Sequence, residues 1–212
     1  MQFSLSICRL SSGIGGVLAL DTANRIDCAQ ESYAVTRTDG EAAVACSRTA
    51  WTINPLDGVS ATTGDVLRFG MKFALTGKAA DGSTLYLQSQ RYTLTNLNYA
   101  GTGGVGAGVS VVTAPSYDTA WKVVALDPSE LAQFESVGAP VPANTFICLE
   151  HAATCTLLNT EGDKLVKNKF GGEYLVSAMT QTSTGKQAWG KRSSQPVGVG
   201  NHFAFTTAEE MA

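Results

Sequence analysis

From residue 66 to residue 75 the apolar positions fall at every second place. Leu67, Phe69, Met71, Phe73 and Leu75 share one side, and Arg68 and Lys72 take the other. A period of two over this length predicts one continuous, half-buried β-strand. Asp81-Gly82 follows as a hairpin turn signal, with Leu85-Tyr86-Leu87 as the returning strand. Similar runs predict strands over residues 17–20, 50–53, 109–113, 121–126, 146–149, 174–178 and 203–206. A single helix is predicted: Asp127 as the cap, Pro128 at the first helical position and Glu130 three residues after the cap. Leu131 and Phe134 then share a face, and Gly138 ends the element. The tail, residues 207–212, reads as a short helix or a frayed end. Residues 100–108, rich in glycine, read as a long surface loop.

The pattern also repeats. Thr49-Ala50-Trp51, with Ile53, Leu56 and Asp57 after it, returns as Thr119-Ala120-Trp121 with Val123, Leu126 and Asp127 at the same spacing. Asn201-His202-Phe203 is a degenerate third copy with Phe203 at the tryptophan position. A strand opens each unit, at residues 17–20, 66–69 and 146–149. Such a unit cannot bury its own apolar face, so three pack together. The expectation is an all-β, β-trefoil-like single domain of three pseudo-repeats, near residues 1–60, 61–135 and 136–212, with one short helix. Trp51 and Trp121 are expected in its core.

The chain has 212 residues, 44% of them hydrophobic and 16% charged, which is globular and poor in charge. A net charge of -3 argues against a nucleic-acid partner, which draws on a basic face. No apolar run approaches the ~18 residues of a membrane span, so no membrane partner is expected. Residues 13–20 have a faint signal-peptide look, but they lack a charged start and read better as a strand. Five cysteines, Cys8, Cys28, Cys46, Cys148 and Cys155, make an odd count without a Cys-x-x-Cys. They read as small buried hydrophobes of a reduced protein, without disulfides.

Little in the sequence suggests catalysis. Cys148, His151 and Cys155 have a metal-like spacing, but no fourth ligand is evident and structural zinc takes four. Strand alternation puts Cys148 and Glu150 on one face and His151 in the turn that follows. No nucleophile elbow occurs, and the segment 101–106 matches no phosphate-binding fingerprint. No enzyme activity, metal or other cofactor is expected. The one charged feature is basic: Lys164, Lys167 and Lys169, joined by Lys186, Lys191 and Arg192. Both clusters fall in connections of the last unit and are expected to form one patch for an acidic partner. Trp189 lies in a polar, Gly- and Lys-flanked stretch and joins this partner-binding set.

Four stretches carry a resemblance. They are residues 67–93 (LRFGMKFALTGKAADGSTLYLQSQRYT), residues 138–151 (GAPVPANTFICLEH), residues 173–177 with Gln195-Pro196, and Asn201-His202-Phe203. Pro140-Val141-Pro142-Ala143-Asn144 is the most specific of these matches. The sequence resembles the cilia- and flagella-associated proteins with a MIR-type domain, microtubule inner proteins of axonemal doublets. The likeness covers most of residues 60–207. It implies a β-trefoil and a structural role on the lumenal wall of the A-tubule of the axoneme. The implied partners are α/β-tubulin and other microtubule inner proteins. It carries over no catalytic residue. It also implies an N-terminal arm before the first repeat, which this chain is expected to lack. The alternatives are a carbohydrate-binding β-trefoil with Trp189 as its platform, and an accessory domain of a secretory enzyme.

Overall fold

The computed structural model describes residues 7–27, 31–39, 46–56, 65–90, 106–184, 187–188 and 195–207. Strands β1 (Ile7–Ser12), β2 (Leu18–Asp27), β3 (Ser32–Arg37) and β4 (Trp51–Pro55) come first. The next four are β5 (Lys72–Lys78), β6 (Thr84–Ser89), β7 (Ala107–Val112) and β8 (Trp121–Val124). Helix α1 (Glu130–Ser136) leads to β9 (Cys148–His151), β10 (Leu158–Asn168) and β11 (Gly171–Ala178). The short pair β12 (Thr180–Gln181) and β13 (Gln187–Ala188) precedes β14 (Phe203–Thr207). No helix among the described residues is long and apolar enough to cross a membrane.

Pairing closes the sheet on itself twice. β1 pairs with β4, β4 with β5, β5 with β8 and β8 with β9. An Ile147–Phe203 bridge joins the start of β9 to β14, and β14 returns to β1. That ring is a barrel without an edge strand, which removes the usual site of unwanted strand addition. The hairpins β2–β3, β6–β7 and β10–β11 form a second ring: β3 pairs with β7, β7 with β11, and β11 with β3. A six-stranded barrel capped by three mutually paired hairpins is a β-trefoil.

The repeated motif marks the threefold axis in atomic detail. A 3-10 turn precedes each aromatic strand, at Ser47–Thr49, Tyr117–Thr119 and Val199–Asn201. The threonine of the first two turns its hydroxyl back to a carbonyl, Thr49 to Cys46 and Thr119 to Ser116. Trp51 Nε1 donates to the Leu18 carbonyl and Trp121 Nε1 to the Leu87 carbonyl, each at 3.0 Å. The Phe203 side chain has no N–H to give. Asn201 supplies the missing bond from the threonine position: its Nδ2 donates to the Leu158 carbonyl at 2.8 Å and to that of Met179. Trp51, Trp121 and Phe203 are all fully buried, as expected, among Leu10, Leu18, Leu20, Phe73 and Phe205.

Several sequence expectations about the fold need correction. Residues 66–75 are not one strand. Gly70 takes a φ of +81°, which breaks the run and starts β5 only at Lys72, although Leu67 and Phe73 stay in the core. The strands that open the units are not equivalent. The tryptophan bonds make Leu18 the counterpart of Leu87, so residues 17–20 match a second strand and Ile7–Ser12 opens the barrel. The helix cap is Ser129, whose hydroxyl accepts from the Ala132 N–H, while Asp127, two residues earlier, accepts from the Ser129 N–H. Of the cysteines, Cys8 and Cys148 are buried, but Cys46 and Cys155 are exposed; Cys28 lies outside the described residues. The Asp81-Gly82 hairpin forms as expected, with Gly82 at φ +86° and Asp81 accepting from Ser83 N–H. The tail beyond Thr207, and residues 100–105 of the glycine-rich loop, lie outside the described residues.

Candidate functional site

Three of the basic residues lie on or beside a described hairpin. Lys164 and Lys167 lie on β10, a strand the sequence pattern missed, and Lys169 sits in the turn to β11. They are therefore on a hairpin rather than in a loose connection. Lys167 and Lys169 are exposed and Lys164 is half-buried. A register shift between Thr160 and Leu165 lets β10 carry the charged run Glu161 to Lys164 without losing its pairing to β11. Lys186, Trp189, Lys191 and Arg192 lie outside the described residues.

A polar centre fastens this hairpin to the first hairpin. Glu173 on β11 is 4% exposed. Arg48 clasps its carboxylate through both terminal nitrogens, at 2.7 and 2.8 Å. Thr36 Oγ1 and Asn168 Nδ2 each donate to the same carboxylate at 2.6 Å. Arg48 Nε also donates to the Leu20 carbonyl, and its guanidinium lies 3.7 Å over the Phe170 ring. Burial pushes the Glu173 carboxyl up, but the bonds from Arg48, Thr36 and Asn168 outweigh it and hold it below the ordinary value. Nearby, Arg37 stacks 4.0 Å over Tyr174 and donates to the Gly15 carbonyl. Arg48 and Glu173 are 125 residues apart, so no spacing rule could have paired them.

On β8 and β9 a groove of about 590 Å³ opens beneath α1. Val123 and Val124 line it from β8, Phe134 from the helix and Val137 from the helix C-cap. Glu130, Gln133 and Phe134 follow the i, i+3, i+4 spacing that places them on one helix face, and Val137 is the C-cap residue just past it. Gln133 Nε2 donates to the carbonyls of Ala125 and Asp127 and fixes the helix over the strand end. Lys122 and Glu150, opposite each other across β8 and β9, form an ion pair at 2.7 Å on the groove wall.

The Cys148–His151–Cys155 spacing does not assemble. His151 is the last residue of β9, fully buried, and not in the turn. Its ring packs 5.0 Å from Trp121, and its nitrogens bond Thr154 Oγ1 and the Asp118 carbonyl. Burial lowers its pKa below 6.5, against the opposing pull of Asp118. Both nitrogens are engaged, and this is a core histidine. No group of three or more metal-ligating side chains occurs among the described residues.

The family model for the cilia- and flagella-associated protein 161-like domain matches residues 23–192, most of the chain. The chain belongs to this family. As a member of the cilia- and flagella-associated protein 161-like family, it is a protein of cilia and flagella. Cilia- and flagella-associated protein 161 of Danio rerio is 26% identical over 163 residues, 77% of this chain. The chain spans about half, 49%, of that relative's length. Solved structures share the fold. An SDF2-like protein from Arabidopsis thaliana superposes with a TM-score of 0.64 at 14% identity, over 97% of this chain and 95% of that one. The S. cerevisiae protein O-mannosyltransferase Pmt1-Pmt2 complex gives 0.65 at 17%, over 97% of this chain and 25% of that one. The family match takes in the Glu173 centre and the groove, but it leaves out β1 and β14, the strands that close the barrel.

Proposed function

We propose that this chain is a structural, non-catalytic microtubule inner protein with a MIR-type domain. In this reading it lies on the lumenal wall of the A-tubule of ciliary doublets and touches tubulin and neighbouring inner proteins. The observation that carries the reading, beside the family, is the lysine-bearing β10–β11 hairpin pinned by the Arg48–Glu173 centre. A charged contact on a rigid strand keeps more of its attraction than one on a loose loop, because less conformational freedom is lost on binding. Lys167 and Lys169 then meet an acidic tubulin surface, and Lys164, on the other side of the strand, belongs to the proposed contact set together with Lys186, Trp189, Lys191 and Arg192. Family membership favours this role over a carbohydrate-binding module.

Retention on isolated axonemes tests it. Many weak contacts repeated along an enclosed wall add up, so the protein is expected to stay with doublets through a salt wash that strips outer-surface proteins. Release by mild salt would falsify the lumenal assignment. A K167E/K169E protein is expected to incorporate poorly while melting like the wild type.

A further inference from the structure

We propose that the free edge of β10 pairs with the β10 of a second copy of this chain, antiparallel and centred on Leu165, to make a two-fold symmetric dimer. The inference does not rest on the tubulin reading, although Lys167 enters both.

The first half of the argument is an unused edge. β10 stands at the end of the order of paired strands, and among the described residues only β11 pairs with its outer half. Asn168 and Gly171 flank a two-residue turn, so they form a hydrogen-bonded pair, and antiparallel alternation makes Val166 and Glu173 the next one. Leu165 and Lys167 therefore aim their N–H and C=O groups away from β11. Such groups are a template for an added strand. The side chains alternate as well. Asp163, Leu165 and Lys167 are exposed, and Lys164, Val166 and Asn168 between them are half-buried. Leu165 is 55% exposed and leans over Gly172, which has no side chain to cover it. An apolar residue thus stands uncovered at the middle of the edge.

The second half is the order of the charges, which selects the occupant. Lysine on an edge strand ordinarily discourages pairing. A second β10 answers it. In an antiparallel pair centred on Leu165, Leu165 opposes Leu165 of the second copy, and Asp163 opposes Lys167 of the second copy. Two-fold symmetry makes the same ion pair again on the other side. Lys164 then opposes Val166 and Gly162 opposes Asn168, so no like charges stand directly opposite. Moving the centre by two residues keeps the same backbone groups facing, but it sets Asp163 against Asp163 or Lys167 against Lys167. The charges therefore fix both the partner and the register. The register shift before Leu165 keeps the edge short. Few bonds and two exposed ion pairs make a weak dimer, half-formed on the order of 0.1 mM.

Sedimentation of the purified intact chain, from about 10 µM to about 1 mM at low ionic strength, tests the proposal with D163K and K167D as variants. The wild type is expected to dimerise, and each variant alone to do so about tenfold less tightly or worse, because two attractions become two repulsions. An equimolar mixture of the two variants is expected to regain the wild-type strength, since each supplies the charge that the other has reversed. Both positions are exposed, and unchanged melting will show that the variants fold. Hydrogen exchange reads the register: the Leu165 and Lys167 amides should slow as concentration rises, and those of the barrel strands should not. No tubulin is present, so the result is independent of the tubulin contact. A wild type that stays monomeric to about 1 mM, a mixture no tighter than its components, or protection that appears away from β10 would overturn the proposal.

Discussion

At the scale of single residues, the three threefold-related positions solve one problem in two ways. Each must fill the core and satisfy a carbonyl from a neighbouring strand. Trp51 and Trp121 do both with one indole. Phe203 fills, and Asn201 bonds. W121A is therefore expected to cost about 3–5 kcal/mol in denaturant unfolding. W121F keeps most of the volume and leaves the Leu87 carbonyl unpaired, a loss of about 1–3 kcal/mol. N201A abandons two carbonyls and should cost more than W121F; an equal or smaller loss would mean that water or a local shift replaces the bonds. The tryptophans were legible in the sequence because the Thr-Ala-Trp motif repeats. The Asn201 role was not, because the bond moved to a different residue and left only the aromatic to follow. His151 shows the same limit. Strand alternation assigned it to a turn, whereas β9 runs one residue further and buries it against Trp121. Its folded pKa lies below 6.5, so the unfolded chain takes up a proton first. Stability held above that value is lost as pH falls through it. H151Q is expected to flatten the decline in unfolding midpoint between about pH 7 and about pH 5. His202, also lowered by burial, keeps part of the slope. An unaltered slope in H151Q would place the titration elsewhere.

Among the elements, β10–β11 is tied to the first hairpin through the Glu173 carboxylate. Its outer half carries Lys164, Lys167 and exposed Leu165 and has little apolar burial of its own. The Arg48–Glu173 clasp therefore does much of the holding. R48M is expected to speed hydrogen exchange within residues 165–174 while β1, β4 and β5 keep their protection. Exchange that quickens equally in the barrel strands would show that the clasp stabilises the whole molecule instead. The pH response follows from the same geometry. The Glu173 pKa sits below its ordinary 4.5, so its contribution, present above that value, is lost as pH falls through the depressed one. Glu161, raised by burial, works in the opposite sense. Removing Arg48 should shrink the acid-sensitive part, read as a shallower loss of stability below about pH 4.5. The sequence announced the β5–β6 hairpin and the helix, because alternation and Asp-Gly are local signals. It hid β10, whose charges and Gly162 read as a loop until the pairing with β11 is seen. It hid the groove too, since Phe134 and Val137 resemble core positions until their exposure is known.

For the whole molecule, the threefold arrangement was legible from two motifs and a faint third, since each repeat needs the other two to cover its apolar face. What no local pattern could show is that the two rings of pairing both close. That closure also has a mechanical consequence. In the ring, β1 and β14 are antiparallel neighbours, with Cys8 opposite Thr207. A pull applied at these two points would peel the strands apart from one end, so each hydrogen bond would carry the load alone and fail in turn. A push or shear applied through the sides of the barrel would load many bonds together. A protein joined in this way bears force well through its flanks and poorly through its ends. Load on the flanks is shared among many bonds, and load on the paired ends of β1 and β14 is borne by one bond at a time.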